Sequence, residues 1–204
     1  MKKIFTLCLA ILALGAFKMA HDGIHELEIG DAAKGTDIKL ENTEGKKVTL
    51  GDLKGKKGLL VIFSCNTCPW VMKWEGRYNG LAETCKKNDI GMVVVNSNAA
   101  KREGDDSMES IKAHAKKSGY TFPYVMDEGS ALADALGATR TPHVFLFDAD
   151  LKLAYRGAID DNADDVKEVK TPWLQNALSN LAAGKAIDPN STKSLGCTIK
   201  RIPQ

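Results

Sequence analysis

Across its 204 residues the chain carries 28 lysines and arginines against 26 aspartates and glutamates, a formal charge of +2. That near-balance, with no basic face in the sequence, argues against a nucleic-acid partner held by phosphate contacts. Apolar and charged fractions are those of a globular protein, long enough to bury roughly 70% of its unfolded surface.

Residues 1–17 stand apart from the rest. Lys2 and Lys3 precede an apolar run over residues 4–17, and Ala13-Leu14-Gly15 supplies small residues where a signal peptidase would cut. This predicts a secretory signal over residues 1–15, with cleavage between 15 and 20, because the run is too short to span a bilayer. The mature chain is then exported, to a periplasm or beyond. Cys8 is discarded with the signal. Cys65, Cys68, Cys85 and Cys197 remain in a compartment where disulfides persist. Four cysteines are too few for a disulfide scaffold, and a redox role for at least two follows.

Residues 18–36 read as a polar lead-in, and His21 and His25 within it as solvated. Two short alternating segments, 37–40 and 47–50, flank Asn42-Thr43-Glu44-Gly45 and predict a hairpin. An apolar strand over 59–63 then runs into Cys65-Asn66-Thr67-Cys68-Pro69-Trp70. Beyond it, Val71, Trp74, Tyr78, Leu81, Ala82 and Cys85 recur at steps of three and four, predicting one helix to about Lys87. Cys85 lies on its inward face, roughly 25 Å along that helix from Cys68, too far for a disulfide unless the helix breaks.

Residues 91–96 form a second continuous apolar run, the mark of a strand buried on both faces. A polar loop follows over 98–106, then a helix capped by Ser107, a short strand at 124–126 and a short helix at 130–136. Residues 143–147 and 152–156 alternate about Asp148-Ala149-Asp150 as a second hairpin. Asp160, Asp161, Asp164 and Asp165 fit no EF-hand spacing and read as a solvated loop. A last helix opens at Pro172, and residues 185–204 form an irregular tail carrying Cys197. The order predicts one α/β domain, a mixed sheet with helices on both faces and an extra N-terminal hairpin. Its core would span residues 28–184.

Two cysteines separated by two residues, between a strand and a helix, point to thiol–disulfide exchange, because the helix N-terminus favours a thiolate. A structural zinc site would need a second pair at like spacing, and haem attachment a histidine where Pro69 stands. Position gives Cys65 as the exposed attacking thiolate and Cys68 as the shielded resolving thiol. A soft-metal carrier using the dithiol is the non-enzymatic rival, with His143 as its one nearby third ligand. No cofactor or resident metal is called for.

The Cys65-Asn66-Thr67-Cys68-Pro69 turn, with Gly137-Ala138-Thr139-Arg140-Thr141-Pro142 before a strand, resembles the thioredoxin superfamily. Val94-Val95-Asn96-Ser97-Asn98, Phe145-Leu146-Phe147-Asp148, Tyr155-Arg156-Gly157, Ile159-Asp160-Asp161 and Leu195-Gly196-Cys197-Thr198-Ile199-Lys200 narrow the resemblance. They match the peroxiredoxin-like branch of the redoxin grouping, which includes alkyl hydroperoxide reductase relatives, over about residues 28–202. The resemblance implies a thioredoxin-like fold with Pro142 cis, and a Thr141 backbone free to pair with an extended substrate. It implies an oxidoreductase exchanging with protein or small-molecule thiols and disulfides, served by a separate electron donor or acceptor. Two departures matter. The hydroxyl that peroxiredoxins carry three residues before the peroxidatic cysteine is replaced by Cys65, which argues against the alternative of a thiol peroxidase. No carboxylate falls between Asp52 and Glu75, so proton transfer at the dithiol must use water or another segment. Cys197 enters as an auxiliary thiol, on the expectation that the tail folds back to the dithiol.

Overall fold

The computed structural model describes residues 24–203, so the segment read as a secretory signal and His21 lie outside the described residues. The first strands, β1 (Leu40–Asn42) and β2 (Lys47–Val48), pair antiparallel as the predicted hairpin, though shorter than the alternation suggested. Thr49 ends the hairpin early because it caps a one-turn helix, α1 (Leu50–Leu53), in a reciprocal capping box with Asp52.

The two apolar runs become β3 (Gly58–Ser64) and β4 (Ile90–Asn96), parallel neighbours in perfect register from Gly58 opposite Ile90 to Ser64 opposite Asn96. With β5 (Tyr124–Met126), β7 (His143–Asp148) and β8 (Leu153–Gly157) they form a mixed seven-stranded sheet, ordered β2-β1-β5-β4-β3-β7-β8. The short β6 (Arg140–Thr141) lies outside it and pairs with β9 (Cys197–Thr198).

Strand alternation divides the core in two. Leu60, Ile62, Val94, Val144 and Leu146 pack with Trp74, Tyr78, Leu81, Ile111, Leu174 and Leu178. The last six come from α2 (Pro69–Trp74), α3 (Tyr78–Lys87), α4 (Met108–Lys117) and α6 (Trp173–Ala182). On the opposite face Leu59, Val61, Phe63, Val93, Val95, Phe145 and Phe147 meet Leu50 of α1 and Leu132 and Leu136 of α5 (Ala131–Leu136). Helices therefore cover both faces, as expected.

The single helix predicted after Cys68 is broken. A 3-10 turn over Glu75–Arg77 separates α2 from α3. Its charged side chains have distant partners: Glu75 meets His114 at 2.7 Å, and Arg77 meets Asp160 at 3.2 Å. The break does not bring Cys85 to the dithiol. Cys85 is buried in the first core layer, where desolvation pushes its thiol up to about 12.

The acid-rich loop is likewise more than a solvated surface. Asp160 is 5% exposed and accepts the Trp74 indole N–H at 2.9 Å, tying the loop to the helix that follows the dithiol. Elsewhere the packing is close enough to demand glycine. A Cβ on Gly91 would sit 1.9 Å from the Leu53 carbonyl oxygen, a backbone atom that cannot swing aside. Gly91→Ala is expected to cost about 1–3 kcal/mol through overpacking, read as a lowered urea midpoint with unchanged slope.

Candidate active site

Strand β3 ends at Ser64, and the chain turns through Cys65-Asn66-Thr67 into α2, whose N-cap is Cys68 and whose first residue is Pro69. Proline suits that first position, since its missing N–H would have no intrahelical partner. Cys65, Cys68, Cys85 and Cys197 are all free thiols. Cys65 and Cys68 pack with Val71 in a small cluster that Trp70 and Cys197 complete.

Thr141 closes over the pair from β6. Its hydroxyl lies 3.4 Å from the Cys65 Sγ, and its carbonyl oxygen 3.1 Å from the Cys68 Sγ. The peptide between Thr141 and Pro142 is cis. A cleft of about 110 Å³ reaches both sulfurs, with Asn98, Lys101, Cys197 and Lys200 on its walls.

The expected division of exposure does not hold. Cys65 is 2% exposed and Cys68 4%, so neither thiol projects into solvent. Each sulfur also shifts the proton affinity of the other. Cys65 is pushed up, first by its neighbour Cys68, then by burial and by the negative charge of Asp106. Cys68 is pulled well below the ordinary thiol range, first by Cys65, then by Cys197 and by the Val71 backbone N–H at the start of α2. The Cys68 thiol donates to the Thr141 carbonyl, a hydrogen bond that opposes a thiolate at that sulfur. The leading cause on each sulfur is the other, so the two thiols titrate as a pair.

The carboxylate missing from the local sequence arrives from another segment. Asp106, fully buried in the loop before α4, accepts the Asn66 backbone N–H at 3.0 Å, the Asn96 amide at 2.7 Å and the Asn98 amide at 2.9 Å. Asn66 is further fixed by the Tyr124 hydroxyl at 2.9 Å and by the Asp105 carbonyl at 2.7 Å. Arg102 braces the same loop, donating to Asn96 Oδ1 at 2.8 Å and to the Asp127 carbonyl at 2.7 Å. Asp106 and Arg102 read in the sequence as ordinary residues of a polar loop. The only local sign of the network was the run of Asn96, Ser97 and Asn98 at the end of an apolar strand.

Two further expectations are corrected here. The Thr141 backbone is not free: β9 pairs with it antiparallel, Thr141 opposite Cys197 and Arg140 opposite Thr198. The irregular tail is thus partly a strand. It is anchored by Ile199 in the second core layer, by the Lys200 N–H on Asn98 at 2.9 Å and by Arg201 on Asp134 at 2.7 Å. His143, the candidate third metal ligand, turns instead to Glu26, with Nε2 at 3.1 Å from Oε1 and its ring against Phe145. Among the described residues, no group of three His, Cys, Asp or Glu side chains is arranged to hold a metal.

The redoxin family model matches residues 28–171, most of the chain. The chain belongs to the redoxin family. Membership makes it an oxidoreductase with thiol redox chemistry. The thiol-disulfide oxidoreductase ResA of Bacillus thuringiensis (strain Al Hakam) is 27% identical over 128 residues, covering 63% of this chain and 68% of ResA. Among solved structures, a hypothetical protein from Sinorhizobium meliloti 1021 superposes with a TM-score of 0.80 at 30% identity, covering 88% of this chain and 98% of that one. An uncharacterized conserved protein from Geobacillus kaustophilus gives 0.79 at 33% identity, covering 87% and 94%. Peroxidoxin BcpB from Mycobacterium tuberculosis gives 0.59 at 18% identity, covering 79% and 100%, a likeness of fold.

Proposed function

We propose that this redoxin is an exported thiol–disulfide oxidoreductase whose redox couple is Cys65 and Cys68. The observation that carries this is two free thiols packed together at a helix N-terminus, both within reach of Thr141 beside a cis proline. Export is supported by the signal-like pattern of residues 1–15.

In the reducing direction the Cys68 thiolate attacks one sulfur of a substrate disulfide. The substrate S–S bond breaks, its other sulfur leaves as a thiolate and is protonated, and Cys68 is held in a mixed disulfide. Cys65 then gives up its proton and attacks the Cys68 sulfur, expelling the second substrate thiolate. The substrate gains two electrons, and the couple ends as the Cys65–Cys68 disulfide. A separate dithiol donor restores it, and the reverse sequence oxidises a dithiol substrate. Thr141, within reach of both sulfurs, positions them, and the Thr141–Pro142 segment forms the wall facing the substrate.

Trapping decides the roles. With insulin as the disulfide substrate, Cys65→Ser is expected to accumulate a mixed disulfide on Cys68, and Cys68→Ser to form none. A mixed disulfide on Cys65 in the Cys68→Ser protein would reverse the roles. Full insulin reduction by Cys65→Ser with dithiothreitol would remove the couple altogether.

A further inference from the structure

Cys197 stands 129 residues beyond Cys68 in sequence, yet shares its packing cluster. Three independent features hold it there. The first is register: β9 sets Cys197 opposite Thr141, the residue whose carbonyl oxygen is 3.1 Å from the Cys68 sulfur. The second is Gly196. A Cβ at that position would lie 2.3 Å from the Thr141 carbonyl oxygen and 2.7 Å from its carbon, so only glycine lets the tail lie this close. The third is anchorage on both sides of the pair. Arg140 donates to the Gly196 carbonyl at 3.1 Å, and the Ile199 N–H to the Thr139 carbonyl at 3.0 Å.

An extended segment paired with Thr141 and offering a sulfur beside the dithiol has the form of a bound substrate strand. Here the chain supplies that strand itself. Cys68 thus has a thiol neighbour on each side, Cys65 at its turn and Cys197 on the tail. Cys197 is half-buried and lines the cleft, and so is the most solvent-accessible of the three.

We propose that Cys197 is a third redox thiol, which exchanges with the Cys65–Cys68 disulfide to form a Cys68–Cys197 disulfide. This rests on the reading of Cys65 and Cys68 as the couple. The step is an isomerisation without net oxidation. Cys197 loses its proton to solvent and attacks the Cys68 sulfur. The Cys65–Cys68 bond breaks as the Cys68–Cys197 bond forms, and Cys65 leaves as a thiolate that takes a proton back. The oxidising equivalent moves from a buried pair toward the cleft, where an external thiol attacks Cys197 and completes the transfer. Burial and the neighbouring Cys68 push the Cys197 thiol up, and Lys200 on the cleft wall offsets part of that rise. A reductant approaching the cleft meets Cys197 before it meets Cys65.

The test is disulfide mapping of the full chain equilibrated in glutathione and glutathione disulfide, quenched with acid and digested under non-reducing conditions. Wild type is expected to yield both Cys65–Cys68 and Cys68–Cys197 linked peptides, and Cys65→Ser the second alone. Gly196→Val is expected to keep the Cys65–Cys68 link. It should lower the Cys68–Cys197 link about tenfold, because an undocked tail forfeits the advantage of a thiol held in position. Circular dichroism checks that each variant folds, and Cys65→Ala serves if the serine variant does not. Only Cys65–Cys68 in wild type, with glutathionylated Cys68 and free Cys197 in Cys65→Ser, would overturn the proposal and leave the couple standing. An unchanged Cys68–Cys197 yield in folded Gly196→Val would overturn it by showing that the docked strand is not what delivers the thiol. Absence of the Cys65–Cys68 link from Cys197→Ser would defeat the reading of the couple itself.

Discussion

Replacing Asp106 with alanine is expected to cost about 3–5 kcal/mol, the range for removing one partner from a buried charged network. The carboxylate is fully buried and accepts three hydrogen bonds, from Asn66, Asn96 and Asn98. Alanine leaves those donors without acceptors in a space closed to solvent, and unmet buried donors cost more than made hydrogen bonds return. It also removes a negative charge beside Arg102, whose guanidinium proton is already held less firmly because of burial. Asp127 remains and accounts for part of the compensation, through its carbonyl and its charge. Urea unfolding followed by circular dichroism gives the number, and a loss below 1 kcal/mol would show that water replaces the carboxylate. A second readout separates the fold from the site. The Asp106 charge raises the proton affinity of Cys65, so in any folded fraction of Asp106→Ala that affinity is expected to fall.

The second large effect concerns the pH dependence of alkylation. In the reduced protein, iodoacetamide modification of Cys68 is expected to hold its rate from pH 8 down through pH 6. In the unfolded chain the rate should fall about tenfold per unit below the ordinary thiol value of ~8.5. The cause is the thiolate preference imposed by Cys65, Cys197 and the Val71 N–H. Cys65→Ala removes the leading contributor, so the half-maximum for Cys68 is expected to move upward, toward the unfolded value. Peptide mass spectrometry resolves the two cysteines, and a flat profile on Cys65 with a falling one on Cys68 would reverse the assignment.

The same split sets the sign of the stability changes. Cys68 binds its proton more weakly in the folded chain, so its contribution is complete above the unfolded thiol's pKa and disappears as pH falls through the folded one. Cys65 acts the other way. Its contribution is complete below the unfolded value and is lost as pH rises toward its own elevated pKa.

Much of this architecture was legible because the strongest signals in the sequence are local. Residues 59–63 and 91–96 are apolar on both faces, and they became the central strands β3 and β4 with at most one residue's difference at each end. Ser107 caps α4 where its position predicted, accepting the Ser110 N–H at 3.2 Å. The dithiol turn was legible for the same reason, since its meaning lies in the order strand, two cysteines, proline, helix.

What sequence reading missed depends on distant partners. The break at Glu75–Arg77 interrupts a perfectly good helical periodicity, and its reasons are His114 and Asp160, far along the chain. β9 is two residues long, with no alternation to detect, and exists because Thr141 offers it an edge. Asp106 is one acidic residue among several in a polar loop, and only the folded chain shows which of them is buried. The surroundings of the dithiol were hidden for the same reason, since Asp106 and Cys197 reach the two sulfurs from distant segments.

The pairing of β6 with β9 also bears on the order in which the molecule is made. The two cysteines of the turn leave the ribosome well over a hundred residues before Cys197, and Thr141 more than fifty before it. Every core strand of the seven-stranded sheet can therefore be in place while the last wall of the cleft is still being synthesised. Until that final segment docks, the Thr141 edge stands open and Cys68 has only one thiol neighbour. Docking of the closing strand is what covers that edge and gives Cys68 its second thiol neighbour.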